Sequence, residues 1–317
     1  MSPAKGFTLV ELMIATLLVA LGLASSLSLV ARGRGAYRSV EARMQLEETA
    51  RVALDVLSHE IRMAGYLGLA APGSAVAGST MIGTDAPPDL VVAGDCVDAL
   101  ALDLARPLAG ADGIFAAGTG LSLGCDPAPL GRAVPGADTL VIRRAATAQS
   151  APDPGRLQLE SQRWQARLMA DGQRRLGDDS AINDIETSVF YVSRDSTGMA
   201  GRPSLRRKRL VGGSVPSFQD EELVPGVEDL QVEFGLTRSS DAPAETDDYV
   251  AMDVLPEDAS LQSVRLWVLV RSESADSAAA RLPALSYANR SQAPEASRYP
   301  RLLASRTIAL RNPGWTR

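Results

Sequence analysis

Residues Lys5 to Arg34 read KGFTLVELMIATLLVALGLASSLSLVARGR, and one residue in that run, Glu11, is out of place. From Phe7 to Ala31 the chain holds 25 residues with a single charged side chain. At about 1.5 Å rise per residue, a helix of that length crosses the roughly 30 Å hydrocarbon core of a bilayer. An ionisable group at the middle of such a span costs roughly 2.5–3.5 kcal/mol, and less towards its ends. A cleaved secretory signal needs a basic leading region and a small-x-small exit. Ala24-Ser25-Ser26 supplies the exit, but Lys5 is the one basic side chain in front. A plain membrane anchor fits the length and leaves Glu11 as an acid kept wet at the interface.

The remainder of the composition narrows the field. A chain of 317 residues, 45% hydrophobic, is long enough for one or two domains with real cores. Its net charge of −6 provides no global attraction for nucleic acid. The basic residues are almost all arginine, with Lys5 and Lys208 the only lysines. The single histidine, His59, leaves little room for histidine-based catalysis or a histidine-rich metal site.

The stretch Lys5-Gly6-Phe7-Thr8-Leu9-Val10-Glu11-Leu12 resembles the class III prepilin leader of type IV pilins and type II secretion pseudopilins. The resemblance implies that a membrane peptidase cuts after Gly6 and that the new N-terminal Phe7 is N-methylated. It also implies a use for the acid, which sits five residues into the mature chain. Glu11 would pair with the N-terminal amine of a neighbouring subunit in a filament core, where opposite charges attract strongly and either alone is penalised. Arg32, Arg34 and Arg38 follow the apolar run, so the positive-inside rule by itself favours that end in the cytoplasm. The family's orientation is the reverse, with the large domain outside, because the peptidase site faces the cytoplasm.

Beyond the apolar run the helix is expected to continue. Leu46, Ala50, Ala53, Leu57, Ile61 and Ala64 form one apolar stripe, and Glu48, Arg51, Asp55, His59 and Arg62 an opposite polar one. Glu47 and Arg51 are spaced to pair at i, i+4, and Gly65 suits a C′ cap. A helix from Phe7 to Ala64 would be about 85 Å long. His59 reads as a solvated surface residue. Strands are expected at Asp89–Ala93, Asp138–Arg144, Thr187–Arg194, Leu205–Leu210, Val227–Leu236, Ser263–Ser272 and Arg306–Leu310, several with period-two alternation. Pro72–Pro88 and Ser239–Asp248 read as loops, and Asp276–Pro300 as exposed and mobile. The fold class is therefore α+β, with a long N-terminal helix packed on a mainly antiparallel sheet head.

Five blocks resemble the PilW group of minor pilins. They are RVALDVLSHEIRMAGYLG (51–68), ADTLVIR (137–143), PSLRR (203–207), VPGVEDLQVEFG (224–235) and IALRN (308–312). The resemblance implies a low-copy component that takes part in priming a type IV pilus near its tip, supporting pilus biogenesis, twitching motility or adhesion. The alternative is a minor pseudopilin of a type II secretion system. Either is an assembly protein rather than an enzyme, with no cofactor. The division that follows is a cleaved leader, 1–6; a membrane and filament-core helix, 7–34; its amphipathic continuation, 35–65; and a β-rich head, 66–317. Implied partners are the major pilin, other minor pilins, the prepilin peptidase and the inner-membrane assembly platform, with nucleic acid not expected. The implied location is the inner membrane with a periplasmic head, then the fibre at the cell surface.

Three further groups have a structural and a functional reading. Cys96 and Cys125, an even count of cysteines, enclose 28 residues, which in an exported chain favours a disulfide staple over two idle thiols or a metal site. Arg206, Arg207, Lys208 and Arg209 could bind phosphate, but in a strand they divide between two faces and neighbouring acids can neutralise them. Asp241, Glu245, Asp247 and Asp248 are oxygen-rich but lack the spacing and the central glycine of an EF-hand loop.

Overall fold

The computed structural model describes residues 8–71, 74–80, 87, 89–93, 96, 98–113, 133–237, 248–251, 260–275, 280–281, 283–292 and 296–312. In chain order the elements are α1 (Leu9–Met63), β1 (Val76–Ala77), α2 (Asp98–Leu102), β2 (Leu108–Ala111), β3 (Thr139–Gln149), β4 (Gln158–Gln162) and β5 (Gln165–Met169). They continue with β6 (Ala181–Ser193), β7 (Ser204–Val211), β8 (Ser217–Pro225), β9 (Val227–Thr237), β10 (Asp248–Val250) and β11 (Ser260–Arg271). The last are β12 (Ala280–Arg281), β13 (Leu285–Tyr287), β14 (Arg290–Gln292), β15 (Ala296–Ser297) and β16 (Arg301–Ala309). The chain divides into two compact units between Gln45 and Leu46, a boundary that falls inside α1.

In the first unit, Leu9–Val30 is long and apolar enough to cross a membrane, and none of it is buried. The hydroxyls of Thr16, Ser25, Ser26 and Ser28 donate to carbonyls three or four residues back, at 2.8–3.0 Å. A helix in hydrocarbon needs that internal satisfaction, because lipid has no partner to offer a hydroxyl.

The second unit begins with the part of α1 after Gln45. All six residues of the expected stripe are at most 5% exposed, and Leu54 and Ser58 join them. The Ser58 hydroxyl donates to Leu54 O at 2.5 Å, which allows it to sit in an apolar face. On the polar side Arg51 pairs with Glu48 at 2.7 Å and Asp55 at 3.4 Å, rather than in the expected Glu47 geometry. The helix stops where expected: Gly65 has φ 73°, the left-handed value that glycine adopts without steric cost. Its N–H then donates to Arg143 O at 3.1 Å.

The larger sheet runs β1-β5-β4-β6-β3-β2, with β7 on β6 and β8 on β7, and the smaller runs β10-β9-β11-β16. β12–β15 and β13–β14 make two small pairs. Among the described strands only β1 and β5 pair in parallel. The α+β architecture expected from the sequence is thus the one observed. The main core joins the α1 stripe to Leu140, Ile142, Phe190 and Leu205 of the larger sheet and to Leu230, Phe234, Leu266, Val268 and Ile308 of the smaller. A second core gathers Leu90, Val92, Leu102, Leu157, Leu159, Leu168 and Ile185. β3 feeds three clusters, with Leu140 and Ile142 in the main core, Ala145 in the second, and Val141 beside Cys96, Leu100 and Val189.

Several expectations need correction. Asp89–Ala93 is not a strand: Ala93 makes one isolated bridge to Ser217, and the apolar alternation instead places Leu90 and Val92 in the second core. The β4–β5 hairpin and the acidic strand β8 were not expected, because their polar residues break the alternation. Asp276–Pro300 contains, among its described residues, the β13–β14 hairpin with Tyr287 buried. Loop 239–248 lies almost wholly outside the described residues. Replacing Leu57, fully buried on the helix face, by Ala should destabilise the second unit by about 2–5 kcal/mol, measured by denaturant titration of the solubilised chain. A loss well below 1 kcal/mol would mean that the face is not packed as described.

Candidate assembly site

At the start of α1, Glu11 Oε2 accepts the Thr8 backbone N–H at 2.9 Å and the Thr8 hydroxyl at 3.0 Å. In return the Glu11 N–H donates to Thr8 Oγ1 at 3.3 Å. This is a capping box, with Thr8 as N-cap and Glu11 three residues on. The T-x-x-E spacing of the sequence is the signature of this box, a local role for the acid beyond the expected wet interface or filament contact. The box lowers the cost of keeping the acid, because the carboxylate satisfies an orphan N–H at the positive end of the helix. It uses Oε2 alone, so Oε1 has no partner among the described residues. Gly6 and Phe7, the expected cleavage and methylation residues, lie outside the described residues.

In the second unit all five quoted blocks contribute residues to the main core, among them Leu57, Leu140, Leu205, Leu230 and Ile308. Glu60 pairs with Arg144 at 3.0 Å and with Arg207 at 3.6 Å, tying the helix to β3 and β7. Arg144 also reaches Glu186 on β6. Asn312 donates to Ala64 O at 3.1 Å and so caps the helix with the last residue of IALRN. Arg306 reaches Asp55 at 2.6 Å. In ADTLVIR, Asp138 stitches the two sheets. Its N–H donates to Leu230 O at 2.8 Å, and its carboxylate accepts the N–H groups of Val232 at 2.8 Å and Gly113 at 2.9 Å. Burial pushes that carboxyl up to about 8, against the pull of both N–H donors.

Arg143, fully buried, donates from Nε to Leu100 O at 2.5 Å and from Nη1 to Arg106 O at 2.6 Å, which pins the segment around α2. Burial draws its guanidinium down to about 10. Asp229 of VEDLQVEFG accepts the Tyr287 hydroxyl at 2.6 Å and Arg290 Nη1 at 3.0 Å, holding the β13–β14 hairpin to the smaller sheet. Its carboxyl is raised by burial.

The basic run of β7 is neutralised by register. β7 pairs with β8 so that Arg206, Arg207 and Lys208 stand opposite Glu222, Glu221 and Asp220. Arg206 bonds Asp220 at 2.7 Å and Glu222 at 3.3 Å, Arg207 bonds Glu221 at 2.6 Å, and Arg209 lies 3.7 Å from Glu221. Lys208 is buried and engaged. Arg206 and Arg207 are thus committed to acids of their own chain, and Arg209 alone of the run is exposed. Cys96 is buried against Leu100, Val141 and Val189, and Cys125 lies outside the described residues. His59 is exposed. Among the described residues no three His, Cys, Asp or Glu side chains are grouped to hold a metal ion.

Two family models match the chain. Residues 1–27 match the prokaryotic N-terminal methylation motif, and residues 189–312 match Type IV Pilus-assembly protein W. No curated protein and no solved structure matches it. The second span runs from β6 to Asn312, and so takes in Arg206, Asp229, Arg306 and the residue that caps α1. Replacing Glu60 by Gln would leave Arg144 and Arg207 each short of one partly buried counter-charge. The expected loss is about 1.5–3 kcal/mol, the range for hydrogen bonds to charged groups, because both arginines keep another acid. Unchanged stability in denaturant would show that the helix is not secured by this pair.

Proposed function

We propose that this chain, a type IV pilus-related pilin by its prepilin leader and its PilW domain, is a minor pilin that takes part in priming the pilus near the fibre tip. The observation that carries the reading is the occurrence of both family signatures in one chain, at its start and across its last 130 or so residues. The leader together with the apolar helix marks a membrane-anchored chain. On this reading the peptidase removes residues 1–6, Phe7 is methylated, and 7–34 waits in the inner membrane. Residues 35–65 continue the helix, and the head, 66–317, lies in the periplasm until the subunit enters the fibre. The partners are the major pilin, other minor pilins, the peptidase and the assembly platform. The protein works by assembly rather than turnover. The PilW match supports the pilus over the type II secretion system.

Glu11 is the assembly contact in this reading. The capping box holds its carboxylate near the N-terminal end of its own helix with Oε1 unpartnered among the described residues, which is the supply side of a pair with a neighbour's amine. Cys96 and Cys125 are proposed to form a disulfide, worth roughly 3–4 kcal/mol for a loop of this length. In support, Cys96 is buried and no free cysteine occurs among the described residues. In chain isolated without reductant, both cysteines should resist alkylation until reduced, and prompt labelling would remove the staple.

Glu11→Gln separates the charge from the cap, because Gln also serves at the third position of a capping box. The helix start should survive, and membrane insertion should be slightly easier. Losing one charge of a buried pair costs about 3–5 kcal/mol, more than a hundredfold in an association constant. The expected phenotype is mature-length protein in the membrane with little or none in sheared surface fibres, compared by immunoblot in a strain lacking the native copy. Wild-type entry into fibres would sink the role assigned to the acid.

A further inference from the structure

The long outer edge of the smaller sheet leaves alternate main-chain groups without a partner among the described residues. β16 pairs with β11 through nine consecutive residues, from Ser263↔Ala309 to Arg271↔Arg301, with no bulge. Two backbone bonds just beyond the ladder fix its phase. Leu310 N–H donates to Gln262 O at 2.9 Å, and Ser272 N–H donates to Pro300 O at 2.8 Å. Directly opposed residues exchange bonds at every second pair in an antiparallel ladder. The even-numbered residues of β16, from Leu302 to Ile308, therefore bond to β11. Leu303, Ser305, Thr307 and Ala309 turn their N–H and C=O groups the other way, along an edge where they meet no partner among the described residues.

The other described edges are closed or short. β8 is equally long, but its pairing with β7 carries a bulge and three acids, and Ala93 bonds across its start at 2.7 Å. β2 has four residues and β10 three. Proteins usually block a long straight edge with charge, proline or a bulge. The strand Arg301–Ala309 has no proline and no bulge, and its two charges are turned inward to acids of its own chain: Arg301 to Glu228 at 2.5 Å and Arg306 to Asp55 at 2.6 Å. Ser305, Thr307 and Ala309 are small and exposed, which allows a second backbone to approach closely. Within a chain of net charge −6, residues 296–312 hold Arg298, Arg301, Arg306 and Arg311 and no acid.

We propose that the outer edge of β16, from Leu303 to Ala309, docks an extended, acid-bearing strand of another pilus subunit, an inference that rests on the pilin reading above. Main-chain hydrogen bonds at Leu303, Ser305 and Thr307 hold the incoming strand, as in other cases of strand addition. Its carboxylates complement the exposed Arg298 and Arg311, which flank the strand on either side. Where it passes α1 it meets Val52, which is 36% exposed and lies one turn from Asp55 on the same helix side.

The test places a photo-crosslinking residue at Thr307 of the full-length chain in pilated cells and maps any adduct by mass spectrometry. The expected adduct joins Thr307 to an extended, acid-bearing segment of a different pilin. Ser305→Pro removes one outward N–H and leaves the β11 ladder intact. It should abolish the adduct and lower the amount of chain in sheared fibres at least tenfold, with mature protein in the membrane unchanged. Ser305→Lys, which blocks an edge by charge alone, should do the same and carries the test if proline reduces trypsin resistance of the head. Wild-type adduct and fibre levels in both variants would overturn the proposal, as would an adduct mapping to a helix or to β16 of a second copy. Absence of the unsubstituted chain from fibres would count against the pilin reading itself. The adduct and its loss in the Ser305 variants would still decide the edge.

Discussion

One helical face organises the head. From Leu46 to Ala64, just past the end of α1, seven apolar residues enter a single core that both sheets share. Removing that face would leave Leu140, Phe190 and Leu205 of one sheet, and Phe234, Leu266 and Val268 of the other, without a common filling. Burial of this kind is worth about 25 cal/mol per Å² of apolar surface, so the helix provides far more of the head's stability than any of the ion pairs at its rim. The small residues matter as much as the large ones. Ala50, Ala53 and Ala64 are at most 2% exposed, and their size allows the helix to lie close against the strands.

The charges around that face then decide how the helix is fixed. A chain that draws its positive charge almost entirely from arginine can bury it, because a guanidinium offers five donors and can serve two acids or two carbonyls at once. Arg143 serves two carbonyls, Arg206 two acids, and Arg144 an acid on the helix and another on β6. The same bonds specify register. Sliding β8 by one residue along β7 would turn its acids to the opposite face and strand Arg206 in the interior.

The first part of α1 meets the opposite constraint. Its apolar side chains have no protein cover, so every polar atom must be satisfied within the helix. The serine and threonine hydroxyls meet it through carbonyls of the preceding turn. Thr8 and Glu11 meet it reciprocally at the helix start. In the proposed function, this self-satisfaction lets one acid serve both a waiting and an assembled subunit, its Oε1 having no partner among the described residues.

The sequence by itself determined the features that depend on local periodicity. The apolar run, the stripe from Leu46 to Ala64, the αL stop at Gly65 and the strands around Leu140, Val189, Leu230 and Leu266 all follow from 3.6- or 2-residue spacing. The spacing of Thr8 and Glu11 carries the capping box too. Only the tertiary structure decided the rest. Glu160 and Arg206 lie in segments that look solvated, yet both are buried, because partners 14 to 20 residues away arrive only when strands pair. Asp89–Ala93 looks like a strand and is not, because Leu90 and Val92 are consumed by packing in the second core and Ala93 alone makes a bridge, to Ser217. Period reports which side of a segment is apolar. What covers that side, and which charge finds which partner, are set by long-range pairing that no local spacing encodes.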